Sequence, residues 1–330
     1  MNALPYFTAI AALAATLATT GPATAADKVV LGQQPSTLAA VASAGIAKGY
    51  FTEQGIEFDS RWATRGLEII QALGAGQADL GIAAVTPVIA ARAKGLPIII
   101  VGLQSYGFPG YFVAGKKNAQ ATRLEDFKGK RIGVPVGTGV HTVLLMAIEK
   151  SGLKQSDFQI QNARVNDLPA AMQSDGFDAV LGWIPFTNRV VAMGNGKVVM
   201  TPTQFEESVG ITYPMVLVAM EDTIRKRPDV LQRFMFAWAR SMKFVHTERA
   251  ETVRMLRQAV GDRIKGFDDK TLGEMLYGKR HDRVALSEAD VADVRRMGDF
   301  MLAHKDIEAK PDIATLINNS FARKAEGMMK

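Results

Sequence analysis

Four short stretches of this chain carry residue types suited to holding a small anion. They are Gln33-Gln34-Pro35-Ser36-Thr37, Trp62-Ala63-Thr64-Arg65-Gly66, Ala84-Val85-Thr86-Pro87, and the run from Pro135 to Thr142 that contains Gly137-Thr138-Gly139 and His141. Hydroxyl and amide side chains donate hydrogen bonds, and glycine lets a ligand approach backbone N–H groups. Arg65 is the one guanidinium among them. Two readings of it stand: a bidentate clamp on a carboxylate, sulfonate or phosphate, or an arginine pointing to solvent. A cation beside a helix N-terminus opposes the helix dipole, which argues against a plain stabilising role. His141 either donates to an anion or caps its own helix. Trp183 ends an apolar run before Ile184-Pro185 and is placed to wall an apolar cleft, whereas Tyr106 and Phe108 read as core.

Known catalytic signatures are missing. Gly137-Thr138-Gly139 is not a dinucleotide fingerprint, because Thr142 stands where the third glycine belongs, and no Gly-Lys-Ser/Thr follows to make a P-loop. There is no G-x-S-x-G elbow. Ser151-Gly152-Leu153-Lys154 matches S-x-x-K only at a helix end, without its companion motifs. The chain has no cysteine, which excludes a thiolate nucleophile, a Cys zinc site, a disulfide framework and a lipid anchor on cysteine. His246, His281 and His304 show no metal-ligand spacing, so neither metal nor cofactor is expected. The net charge of +6 comes without the basic-aromatic interleaving of nucleic-acid binders, and no nucleic-acid partner is expected.

The elements that must position these stretches follow from apolar periodicity. Val29–Leu31, Ile56–Phe58, Leu80–Ala83 and Ile98–Leu103 read as strands, with helical stripes at Leu38, Val41, Ala42 and Ile46 and at Ile69, Ile70 and Leu73. This β-α-β-α-β order predicts a parallel sheet covered by helices. A second series begins near Lys130, with strands at Arg131–Val134, Phe158–Ile160 and Val180–Trp183. After one more β-rich run, Tyr213–Met220, the chain is helical and charged, with a long helix from Pro228 and further helices over Lys270–Tyr277, Ser287–His304 and Pro311–Ala325, then a frayed tail from Lys324. Each strand-to-helix junction coincides with one of the four stretches, where helix N-termini gather and attract anions. Tyr111–Ala114 and Tyr213–Met220 flank the second unit and are expected to cross between two lobes. Residues 26–112 and 213–330 then form the first lobe, with a helical extension, and 113–212 the second.

Residues 1–25 hold no Lys, Arg, Asp or Glu, and run from an apolar centre to Gly21-Pro22 and Ala23-Thr24-Ala25. They read as a secretory signal peptide cut after Ala25 or Ala26, with an N-terminal anchor helix as the alternative. The expected product is exported, soluble and not lipid-anchored.

Three blocks together resemble the periplasmic solute-binding proteins of nitrate/sulfonate/taurine ABC importers. They are Gly45-Ile46-Ala47-Lys48-Gly49-Tyr50-Phe51 with Gln71 to Gly81, Asp126 to Val134 with Gly137-Thr138 and His141, and Phe177-Asp178-Ala179-Val180 with Trp183-Ile184-Pro185. The resemblance covers about residues 28–245. It implies an α/β, two-lobed type II periplasmic binding fold with a two-stranded hinge and C-terminal helices. It also implies a monomer that closes around a small anionic ligand and delivers it to an inner-membrane permease with a cytoplasmic ATPase. Carried over by position, the pocket draws on Gln34, Ser36, Thr37, Thr64, Arg65, Thr86, Gly137, Thr138, His141 and Trp183. The family often has an acid between the Trp and Pro of the third block, and here it is Ile184. That departure argues against a zwitterion such as taurine and for an aliphatic sulfonate or carboxylate. The alternatives are a periplasmic sensor presenting solute to a membrane signalling protein and, more remotely, an enzyme of the pyrimidine-synthesising branch of the superfamily.

Overall fold

The computed structural model describes residues 25–329, so the expected signal segment lies, but for Ala25, outside the described residues. The first lobe begins with β1 (Asp27–Gln33), α1 (Ala40–Ala47), α2 (Tyr50–Glu53), β2 (Ile56–Trp62), α3 (Gly66–Gly74), β3 (Leu80–Ala84), α4 (Val85–Ala93) and β4 (Ile98–Tyr106). The chain then enters the second lobe through β5 (Gly110–Gly115), β6 (Arg131–Val134), α5 (Gly139–Lys150), β7 (Gln159–Asn162), α6 (Leu168–Gln173), β8 (Ala179–Trp183), α7 (Phe186–Ala192), β9 (Gly196–Met200) and α8 (Pro202–Val209). It returns through β10 (Pro214–Met220) and finishes with α9 (Glu221–Lys226), α10 (Pro228–Thr247), α11 (Arg249–Val260), α12 (Asp269–Tyr277), α13 (Glu288–Ala303), α14 (Ile313–Leu316) and α15 (Ser320–Ala325).

Two five-stranded sheets result, in the orders β2-β1-β3-β10-β4 and β7-β6-β8-β5-β9. They share one plan. Three strands of βαβ origin run parallel, and the fourth position is taken by an antiparallel strand, β10 or β5, that has just crossed from the other lobe. β4 and β10 are buried on both faces along almost their whole length, which is why they read as largely apolar runs.

The crossing is shorter than the sequence suggests. β5 pairs only with β8 and β9, so the expected boundary at 112/113 falls inside a strand of the second sheet. β10 pairs only with β3 and β4. The chain changes lobe at residues 107–109 and 210–213, where the Gly107 N–H donates to the Thr212 carbonyl at 2.8 Å. Gly107 has φ +116°, a conformation open to glycine and strained for other residues.

The helical extension packs through an apolar stripe of α10. Leu231, Met235, Trp238, Met242 and Val245 of α10 are buried, and the Trp238 indole donates to the Leu103 carbonyl at 3.1 Å. Ser287 caps α13, accepting the Asp290 N–H at 3.2 Å. The expected single helix over 311–325 is broken between α14 and α15. The tail is not frayed up to Met329, since α15 and the turn after it pack on α10 and bury Ala325.

Candidate functional site

The C-terminal ends of the parallel strands hand the chain directly to helices, and every expected site residue sits on one of these junctions. After β1, Ser36 accepts the Leu38 N–H at 3.3 Å and caps the turn Thr37–Ala39, in which Thr37 is buried, while Gln34 is half-buried. The more enclosed amide is its neighbour. Gln33 is buried, its Nε2 donates to Ser60 Oγ at 2.9 Å, and its Oε1 has no partner. The inward alternation Val29, Leu31, Gln33 was the signal that could have found it.

Thr64 and Arg65 precede α3 on the surface. Glu68 reaches back to accept the Thr64 N–H at 2.8 Å and its hydroxyl, and lies 3.4 Å from Arg65 Nε. The Thr64 N–H, followed by its hydroxyl and Arg65, holds the Glu68 carboxyl below its usual range. The chain's own carboxylate therefore occupies this helix N-terminus, and the Arg65 side chain is 76% exposed. Thr86, in the first turn of α4, is the reverse: 4% exposed, with a hydroxyl that has no partner.

In the second lobe Gly137 takes a left-handed turn and Thr138 caps α5. The Thr138 hydroxyl donates to the Pro135 carbonyl at 2.7 Å and accepts the His141 N–H at 3.5 Å, so it is largely spent on the turn. His141 is half-buried, and burial holds its imidazole below the usual value, with Asp306 opposing and His304 adding to the shift. Both partners belong to the first lobe, against which α5 packs through α4 and α13. At the end of β8 Trp183 is half-buried, the Ile184–Pro185 peptide is cis, and Thr187 of α7 is fully buried with an unpartnered hydroxyl.

Thr187 was not anticipated from the sequence, and neither was Tyr213. Tyr213 begins the return to the first lobe with φ +49°, its ring edge-on to Phe108 at 5.2 Å. Its hydroxyl lies against the first residue of α5, so close that a Cβ at Gly139 would be 2.4 Å from it. Burial pushes the phenol far above its usual range, so it stays protonated and able to donate. Its backbone is fixed by Asp293, which accepts the N–H groups of Thr212 and, at 3.1 Å, Tyr213.

The lobes also touch through polar pairs. Glu149 meets His304 at 2.7 Å, Arg189 donates to the Gly266 carbonyl at 3.0 Å and stacks over Phe267, and Glu206 binds Arg280 at 2.7 Å. Of the seven buried side-chain polar atoms without a partner among the described residues, three are Gln33 Oε1, Thr86 Oγ1 and Thr187 Oγ1, all at strand-to-helix junctions. An unmet buried hydroxyl or amide costs about 1–3 kcal/mol, so such atoms mark where an outside partner fits.

A family model described as NMT1/THI5 like matches residues 39–252. A binding protein of Brucella abortus is 30% identical over 206 residues, covering 60% of this chain and 59% of its own length. The taurine-binding periplasmic protein of Escherichia coli is 29% identical over 182 residues, 55% of each chain. The chain thus spans less than two thirds of the length of these relatives. The crystal structure of the periplasmic aliphatic sulphonate binding protein of Escherichia coli superposes with a TM-score of 0.76 at 19% identity, covering 88% of this chain and 97% of that one. That likeness establishes the two-lobed fold.

Proposed function

Because the chain belongs to the NMT1/THI5-like family, we propose that it is the periplasmic solute-binding component of an ABC importer, capturing a small organic anion between its lobes. The observation that carries this reading is the set of unpartnered buried oxygens at Gln33, Thr86 and Thr187, drawn from both lobes. They suit a ligand that hydrogen-bonds on several sides, and nothing at these junctions pairs a nucleophile with a base. The N-terminus of α5, the Tyr213 hydroxyl and the wall formed by Trp183 and Ile184 complete the proposed cleft, with Gln34, Ser36, Thr37, Thr64, Arg65, Gly137, Thr138 and His141 around it. Ile184 is apolar and sits near Gly278 of the first lobe, which favours an alkyl sulfonate or carboxylate over an amine-bearing one.

Export through residues 1–25, action as a monomer and delivery to a permease with its ATPase belong to the same proposal. Among the described residues no helix is long and apolar enough to cross a membrane. Calorimetry with ethanesulfonate, taurine, nitrate and short carboxylates tests the assignment. Saturable binding of ethanesulfonate, tighter than taurine, is expected. Tighter taurine binding would sink the role given to Ile184, and silence across the whole panel would sink the carrier reading.

A further inference from the structure

The first lobe contains a second cluster that the cleft does not use. Where α10 ends, α11 begins and the segment after α12 returns to the edge of the sheet, a cavity of about 110 Å³ is lined by His246, Arg249, Tyr277, Lys279, Arg280, His281 and Asp282. No residue of the second lobe and none of the strand-to-helix junctions lines it. Its charges are unbalanced. Asp282, its one acid, already accepts the Tyr106 hydroxyl at 2.8 Å and lies 3.5 Å from Arg283. Arg280 is tied to Glu206 at 2.7 Å. Among the described residues Lys279 and Arg249 have no acidic partner, and Arg249 stacks over the Tyr277 ring at 4.6 Å. His281 is 3% exposed and its Nδ1 has no hydrogen-bond partner.

Two cations that line one partly enclosed space without an acidic partner favour an anion there. The guanidinium offers a planar fork and the ammonium a movable point charge, a combination matched by a tetrahedral oxyanion. The volume admits one such ion, or a few waters at ~30 Å³ each. We propose that this cavity is a second anion site, selective for a compact oxyanion such as phosphate or sulfate, held by Lys279, Arg249 and His281. Arg280 pairs with the end of β4 and contacts the second lobe through Glu206, so an ion here ties the α10–α11 corner to a segment beside the lobe crossing.

The test is calorimetric titration of the full chain with inorganic phosphate, and separately sulfate, at low ionic strength. Variants are Lys279→Gln, Arg249→Gln and the cleft substitution Thr86→Val, each checked by circular dichroism for folding. Expected are saturable binding to the wild type, a loss of at least tenfold in Lys279→Gln and in Arg249→Gln, and phosphate binding within twofold of wild type in Thr86→Val. Ethanesulfonate binding should be kept in Lys279→Gln. Arg249 sits on an exposed helix start, so its variant remains informative if Lys279→Gln unfolds. The proposal is overturned by absence of saturable phosphate or sulfate binding, by wild-type affinity in both basic-residue variants, or by a loss confined to Thr86→Val, which would place the ion in the cleft.

Discussion

Adding one methyl group at Gly139 should damage both the fold and the proposed cleft, by an amount the geometry sets. An alanine Cβ there would lie 2.4 Å from the Tyr213 hydroxyl oxygen, 3.1 Å from Cζ and 3.2 Å from Cε2, whereas ordinary contact begins at 3.4 Å. Either the hydroxyl or the start of α5 must move by about 1 Å, and overpacking of this kind costs ~1–3 kcal/mol. The tyrosine cannot easily give way. Its ring is wedged edge-on against Phe108 and its N–H is held by Asp293 at 3.1 Å. The strain therefore falls on α5, whose first turn forms one wall of the proposed cleft. Gly139→Ala should melt several degrees below wild type and bind ethanesulfonate at least tenfold more weakly. In a double-mutant cycle, Tyr213→Phe removes the nearest atom and leaves Cζ at 3.1 Å, so the pair should recover ~1 kcal/mol or more of the loss. A Gly139→Ala protein that melts like wild type, or no rescue by Tyr213→Phe, would refute the reasoning.

Arg65→Ala should change stability by less than ~0.5 kcal/mol, because an exposed pair 3.4 Å apart contributes little. If Arg65 clamps the ligand, ethanesulfonate affinity falls at least tenfold, and an unchanged isotherm removes it from the site. Asp293→Ala leaves the N–H groups of Thr212 and Tyr213 without their acceptor beside a fully buried carboxylate position, and should cost ~1–3 kcal/mol in denaturant unfolding. A loss under ~1 kcal/mol would show that the crossing is held by other contacts. Burial lowers Lys279 from 10.5 to about 8, with His246, Arg249, Arg280, His281 and Asp282 around it. Below the folded value both states carry the proton and the burial cost is fully present. Between the two values the native state releases it first, so stability should rise with pH, by at most ~3 kcal/mol given the partial exposure of Lys279. Urea titrations across that window should show the rise in wild type and not in Lys279→Met, and parallel profiles would refute it.

Much of the scaffold was legible because burial on both faces leaves a plain imprint. Ile98–Leu103 and Arg131–Val134 lie within or coincide with strands, and the long helix from Pro228 is α10. β9 was not anticipated, since Gly196-Lys197-Val198-Val199-Met200 is a short edge strand with little periodicity. The crossing was misplaced because β5 and β10 look alike as apolar runs, and only pairing shows that each belongs wholly to one sheet. The junctions could be located, but the roles within them depended on direction. Glu68 satisfying Thr64, Gln33 facing inward beside Gln34, and Tyr213 aimed at Gly139 follow from side-chain orientation, which spacing alone does not specify.

The two lobes are not equivalent partners in the proposed cleft. In the first, the N-terminus of α3 is answered by Glu68, and, the exposed Arg65 aside, the groups left without a partner are neutral: the Gln33 amide oxygen and the Thr86 hydroxyl. In the second, α5 begins with glycine, its cap Thr138 is spent on its own turn, and its first turn contains no acidic residue. The anionic end of a ligand is therefore best served by α5, and its body by the first lobe and the Trp183–Ile184 wall. Tyr213 joins the two halves of this arrangement. It sits at the crossing, pinned to the first lobe through Asp293, yet its hydroxyl touches the helix of the second. Any rotation of the lobes about residues 107–109 and 210–213 must change that contact, so the residue that governs how closely α5 approaches the first lobe also lies beside the charge the helix would hold.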